Sequence, residues 1–199
     1  MERMVEAMKT IRILALVLSW CLLISTLSAC SLFGGAKLPA TIGEDGKFIF
    51  RVIRASKATD GAEEFAKVLR NTMRSNFDCK VDIGKDGTSE YDEDAYEILI
   101  GDTNRPESLE AKTVLANSRA NTAFDFIVKV IGKKVCIQVT NDEMMSIAGA
   151  WFSETFCDSI EDWELLTSDY EFIYSKKFDA VNNKIGGVDL GSFTVVKPL

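Results

Sequence analysis

Four side chains able to do polar chemistry crowd one short stretch: Asp102, Asn104, Arg105 and Glu107, within Gly101-Asp102-Thr103-Asn104-Arg105-Pro106-Glu107-Ser108. An apolar run from Tyr96 leads into them, and Pro106 suits the first turn of a helix. A strand-to-helix junction presents unpaired backbone N–H groups that attract anions, and arginine grips carboxylates through paired hydrogen bonds. Two readings are open. Either the cluster contacts an acidic sugar or a partner, or it is a capped turn. In the capped turn Asp102 or Asn104 holds backbone N–H groups and Arg105 pairs with a neighbouring acid. Glu90 and Asp92 offer a second chemistry, the carboxylate pair of a glycosidase. Such a pair needs a defined separation and one partner of raised pKa. The acidic, turn-rich stretch Gly84 to Asp94 reads as a solvated loop that supplies neither, and it lacks the spacing and glycine of an EF-hand.

The residue types that are missing narrow the chemistry further. There is no histidine, so Ser-His and Cys-His catalysis, the imidazole proton shuttle and most zinc sites are excluded. Cys79, Cys136 and Cys157 stand among apolar residues without metal-ligand spacing and read as buried, inert thiols; as an odd set they can form one internal disulfide at most. Nothing in the sequence calls for a cofactor or a metal. The net charge of −7 argues against nucleic acid, which needs a basic footprint. Hydrophobic content of 47% with 27% charged residues is that of a chain able to bury a core.

The N-terminal segment carries an address. Arg3, Lys9 and Arg12 precede the apolar run Ile13 to Leu27, which is too short for a membrane span and suits the core of an export signal. Glu2 and Glu6 weaken its positive end, so Met8 makes a cleaner start than Met1. The run ends in Leu27-Ser28-Ala29-Cys30, which resembles the lipobox of bacterial lipoproteins. The resemblance implies cleavage before Cys30, a diacylglyceryl thioether on its sulfur, and attachment to the extracytoplasmic face of the cell membrane through that lipid. Two acyl chains hold such a protein stably where one does not. The expected organisation is a signal peptide over 1–29, a flexible tether over 30–44, a domain over 45–180, and a closing segment over 181–199.

Within the domain, Lys47 to Ile53 reads as a strand, with Asp60 as a helix N-cap and Glu63 three residues on. Ala62, Phe65, Ala66, Leu69, Met73 and Phe77 recur at helical steps and form one apolar stripe. Cys79 to Ile83 alternates as a half-buried strand, and Tyr96 to Gly101 has the continuous apolar end of a central one. A second helix runs from Pro106 to about Ser118. Phe124 to Ile131 and Lys134 to Val139 flank Gly132-Lys133 as a hairpin. Caps at Thr140 to Asp142 open a third helix with Met145, Ala148, Trp151, Phe152 and Phe156 on its apolar face. Cys157 to Asp169 reads as a loop exposing Trp163, and Tyr170 to Tyr174 as a short strand. Ile185 to Val188 and Phe193 to Val196 are weaker strands. The order β-α-β-β-α-β-β-α-β predicts an α+β fold: one mixed sheet with about three helices packed on it.

Three of these segments carry a resemblance: Phe50 to Ser56 with the helix from Ala62, Tyr96 to Ser108, and the hairpin Val130 to Val139 leading into the Trp151–Phe152 helix. Together they resemble the small α+β domain that precedes the catalytic barrel in family 20 β-hexosaminidases and α-glucuronidases. In those enzymes the acid–base carboxylates lie in the barrel, which needs about 250 residues. The resemblance therefore implies a non-catalytic module in a carbohydrate-processing setting, with a glycan or a surface protein as partner. Gly191 to Val196 echoes Gly46 to Val52, so residues 181–199 are either an edge strand or the start of a truncated second unit. Two alternatives stand beside this reading: a glycosidase or glycosidase fragment using a carboxylate pair, and a structural or partner-binding surface lipoprotein without glycan contact.

Overall fold

In the computed structural model, residues 35–118, 124–175, 184–185 and 188–189 are described. The leader, Cys30 and Phe193 to Val196 lie outside them. The elements are β1 (Arg51–Arg54), α1 (Asp60–Asn76), β2 (Ile83–Lys85), β3 (Glu97–Ile100), α2 (Pro106–Ser118), β4 (Asp125–Ile131), β5 (Lys134–Val139), α3 (Glu143–Phe156), α4 (Ile160–Trp163), β6 (Glu171–Ser175), β7 (Lys184–Ile185) and β8 (Val188–Asp189). Six strands form one mixed sheet in the order β2-β1-β3-β5-β4-β6. The pairs β1·β2, β1·β3 and β3·β5 are parallel, and β4 runs antiparallel to both β5 and β6. This is the α+β architecture expected.

The period-two alternation of the strands builds two different faces. Val52, Ile98, Ile100, Phe126, Val128, Val135 and Ile137 pack against the stripes of α1 and α3. On the other face Ile53, Leu99, Ile127 and Cys136 pack against Ala111 and Leu115 of α2. α1 begins at Thr59, whose hydroxyl accepts from the Ala62 N–H, one residue before the expected cap. Its approach to α3 is close enough to require a glycine, because a Cβ on Gly149 would lie 2.6 Å from the Phe65 ring. The hairpin turns at Gly132 with φ of 58°, a conformation that glycine adopts without steric penalty.

Several expectations are corrected. Trp163 is fully buried, not exposed. Ser159 caps the single turn α4, the acids around Trp163 stay outside, and the indole enters a ring of Phe48, Phe50, Phe77 and Phe152 with centroids 5.2, 4.9, 6.2 and 6.3 Å away. The tether expected over 30–44 is docked from Ala36: Leu38 is buried, its N–H donates 2.8 Å to Leu166 O, and Ala36 O accepts from Ser168 N–H. β2 starts at Ile83, four residues later than expected, although Lys80 keeps an isolated bridge to Lys47. Ile185 and Val188 belong to two short strands paired with each other, not to one. Cys79, Cys136 and Cys157 are buried and unbridged, and burial pushes all three thiols above their ordinary range.

Candidate functional site

Parallel strands gather chemistry at their two ends. At the amino ends, the register sets Arg51 beside Glu97 and Glu97 beside Lys134, one charged rung across β1, β3 and β5 on the face that α2 covers. Glu97 and Lys134 are both wholly buried. Arg51 Nε and Nη2 donate to Glu97 Oε1 at 2.9 and 2.6 Å. Glu97 Oε2 lies 3.4 Å from Lys134 Nζ and 3.5 Å from Arg105 Nε, ion-pair distances without a hydrogen bond. One carboxylate therefore faces three cations. The surplus is taken up by the loop before β3: Arg105 Nη2 donates to Ser89 O and Glu90 O, Arg51 Nη2 to Glu90 O, and Lys134 Nζ to Asp92 O and Ala95 O. Tyr91 lies against Arg105 and Lys134, its ring centre 5.5 and 5.7 Å from them, and its hydroxyl donates 2.9 Å to Glu107 Oε1. That hydrogen bond to a carboxylate is the main cause that lifts the Tyr91 phenol to about 12.

The acidic stretch is thus not a solvated loop. Its main chain is bound to buried cations, and its carboxylates Glu90, Asp92, Glu93 and Asp94 stand exposed outside them. Asp94 pairs with Lys133 at 2.7 Å. Asp86, the residue after β2, is buried and ties three strand ends together. Its Oδ1 accepts from the Ser56 N–H and hydroxyl, both at 2.7 Å, and its Oδ2 from the Asn104 N–H at 2.7 Å. Burial pushes this carboxyl up, but the hydrogen bonds from Ser56 and Asn104 outweigh it and leave the pKa below the usual value.

The four residues expected to act together are divided by the structure. Asp102 is exposed and pairs with Lys112 at 2.5 Å. Asn104 sits on Asp86, with its Nδ2 donating to Asp86 O at 3.3 Å. Arg105 and Glu107 turn inward to Glu97 and Tyr91. The N–H groups of this turn are held by Asp86, which accepts from Asn104, and by Thr103, which accepts from Arg105, and not by the side chains of Asp102 or Asn104 that the capped turn called for; the acid paired with Arg105 lies on β3 and not beside it in sequence. Glu97, Lys134, Arg51 and Asp86 went unseen in the sequence. The available signal was Glu97, an acid opening an otherwise apolar central strand.

At the carboxyl ends lies a crevice of about 270 Å³. α1 leaves β1 toward one face while the chain after β3 leaves toward the other, the kind of switch point where open sheets accommodate ligands. Ala55, Ala62, Ile100, Val139 and Met145 supply its apolar part. The N-terminus of α1 beside it is already filled by an internal carboxylate: Asp142 accepts from the Thr59 hydroxyl and from the Gly61 N–H. No cluster of histidine, cysteine and carboxylate groups able to hold a metal ion occurs among the described residues.

No family model matches the chain, and no curated protein matches it. Among solved structures, the glycoside hydrolase family 84 protein CpGH84D is a weak neighbour, with a TM-score of 0.37 and 13% identity over 70% of this chain. The chain spans 21% of that protein's length. A likeness of that size carries no weight for activity.

Proposed function

We propose that this chain is a non-catalytic, carbohydrate-associated module of a lipoprotein held on the extracytoplasmic face of a bacterial membrane through Cys30. The observation that carries the non-catalytic reading is the commitment of the ionisable side chains. Glu97 is shared by Arg51, Arg105 and Lys134, whose other donors go to loop carbonyls, Asp86 and Asp142 cap backbone and hydroxyl groups, and Glu107 holds Tyr91. Glu90 and Asp92 stand exposed on the pinned loop, outside the crevice. The lipobox-like Leu27-Ser28-Ala29-Cys30 supports the address. Among the described residues no helix is long and apolar enough to cross a membrane.

Three measurements test this. Labelled palmitate is expected in the wild-type chain and not in Cys30→Ala; its absence from both removes the anchor. A glycan array probed with the chain from Ser31 onward is expected to show binding, and a blank array favours a structural or partner-binding lipoprotein. Aryl glycosides are expected to remain intact, and turnover lost in Glu90→Gln would make the chain an enzyme.

A further inference from the structure

We infer that the crevice at the carboxyl ends of β1, β3 and β5 binds one neutral, hydroxyl-rich small molecule, a single sugar ring or a polyol of similar size, oriented by Gln138. The inference deepens the carbohydrate-associated reading above and rests on it for the ligand class.

Gln138 carries the argument. It is 1% exposed, yet it lines the crevice. Its Nε2 donates 2.6 Å to Gly101 O. A main-chain carbonyl can only accept, so the amide nitrogen must face it and the amide oxygen must face away. That oxygen has no hydrogen-bond partner among the described residues and is not one of the side-chain atoms closed off from solvent, so the little exposure Gln138 keeps includes it. An acceptor fixed in direction by its own nitrogen and open on the crevice is placed to take a hydrogen bond from a donor there. Alcohol hydroxyls are such donors.

Charge selects the class. The crevice is lined by Lys57, Lys112, Asp102 and Asp142, two cations against two anions. Asp102 and Lys112 pair at the rim, and Asp142 is spent on α1. The one position where a helix terminus would favour an anion is therefore occupied, and a charged ligand gains no net attraction. The volume of about 270 Å³ lies just below the usual range of drug-sized pockets, enough for one ring and not for a chain. The apolar patch of Ala55, Ala62, Ile100 and Val139 gives the carbon face of such a ring a surface to lie on.

The test uses the full chain in zwitterionic micelles, so that no detergent sugar headgroup competes. Saturation-transfer NMR is recorded with glucose, galactose, mannose and glucitol, and with gluconate as the charged analogue. At least one neutral probe is expected to bind weakly, with a Kd of order 1 mM, about 4 kcal/mol. Gln138→Leu is expected to weaken it at least tenfold. Ala58→Trp, at a half-buried lining position that takes no part in the Gly101 bond, is expected to abolish the signal, and it decides the matter if Gln138→Leu does not fold. No contact with any neutral probe, unchanged binding in Ala58→Trp, or gluconate binding tenfold tighter than glucose would each overturn the inference. Failure here is separable from failure of the broader reading. Glycan-array binding that survives Ala58→Trp removes the crevice and keeps the carbohydrate association; a blank array with monosaccharide binding in the crevice keeps the crevice and removes only the binding of larger glycans.

Discussion

The two faces of the sheet solve the same burial problem by different means. Under α1 and α3 the interior is apolar and aromatic, with Trp163 enclosed by Phe48, Phe50, Phe77 and Phe152 and with Trp151 stacked on Phe172 at 4.2 Å. Under α2, only a few apolar side chains fill the space, and the rest is a rung of charge with a loop bound over it. An apolar face needs only volume and shape, so many sequences satisfy it. A charged one needs every partner present, because a buried ion without its counterion costs several kcal/mol. The aromatic face should therefore fail by degrees and the charged face all at once.

Glu97→Gln is the sharpest way to break that comparison. It leaves Lys134 and Arg105 buried with no carboxylate between them, and about 3–5 kcal/mol of stability is expected to go, measured by urea unfolding. The triple replacement Glu97→Leu, Arg105→Leu, Lys134→Met removes the three buried members, leaves only the part-exposed Arg51 without its carboxylate, and is expected to cost much less. Its price is local: Ser89, Asp92 and Ala95 lose the donors on their carbonyls, Glu90 keeps only Arg51, and limited proteolysis is expected to cut the loop from Asp86 to Asp94 faster. A triple variant as unstable as Glu97→Gln would show that the charges do more than hold one another and the loop.

Trp163→Ala empties the opposite core and is expected to cost about 3–5 kcal/mol, the range for deleting a large buried aromatic side chain. Trp163→Phe is the graded case. It keeps an aromatic ring in contact and removes an indole N–H that has no hydrogen-bond partner, so its loss in urea unfolding should be clearly smaller. Equal losses for the two variants would mean that this face is as exacting as the charged one.

What could be read from the sequence follows the same division. The stripe from Ala62 to Phe77 and the hairpin at Gly132 are set by neighbours in the chain, and both are present. The element order and the mixed sheet follow from such local signals. Trp163 was misread because three acids flank it, and only the single turn of α4 turns it inward while they face out. Arg105 and Glu107 were visible as polar residues, but their partners Glu97 and Tyr91 are set by strand register and loop path, which no local pattern encodes. Asp86 looked like one acid of a solvated loop because its partners, Ser56 and Asn104, follow two other strands.

Asp86 gives the charged face a pH dependence. Its folded pKa lies below that of the unfolded chain, about 3.9, so its contribution is present above that value and lost as pH falls through the folded pKa. Asp86→Asn is expected to lower stability at neutral pH by about 1.5–3 kcal/mol, the scale of hydrogen bonds to a charged group. It should also flatten the acid limb of a stability-against-pH curve. An acid limb as steep as in the wild type would assign the dependence to other carboxylates.

The smallest effect reports on the cover over the rung. Tyr91 is partly exposed, yet its proton is held by Glu107 on α2, and loss of that proton would set a phenolate beside a carboxylate. Near-ultraviolet titration, with Tyr91→Phe as the difference reference, is expected to place the phenol at about 12. Glu107→Gln replaces a charged acceptor with a neutral one and should bring it back toward the ordinary value of about 10. The same shift should appear in the triple variant, because a loop released from Arg105 and Lys134 carries Tyr91 away from α2. A Tyr91 that stays at about 12 in the triple variant would show that Glu107 alone anchors the loop, and that the buried cations are held by the loop more than they hold it.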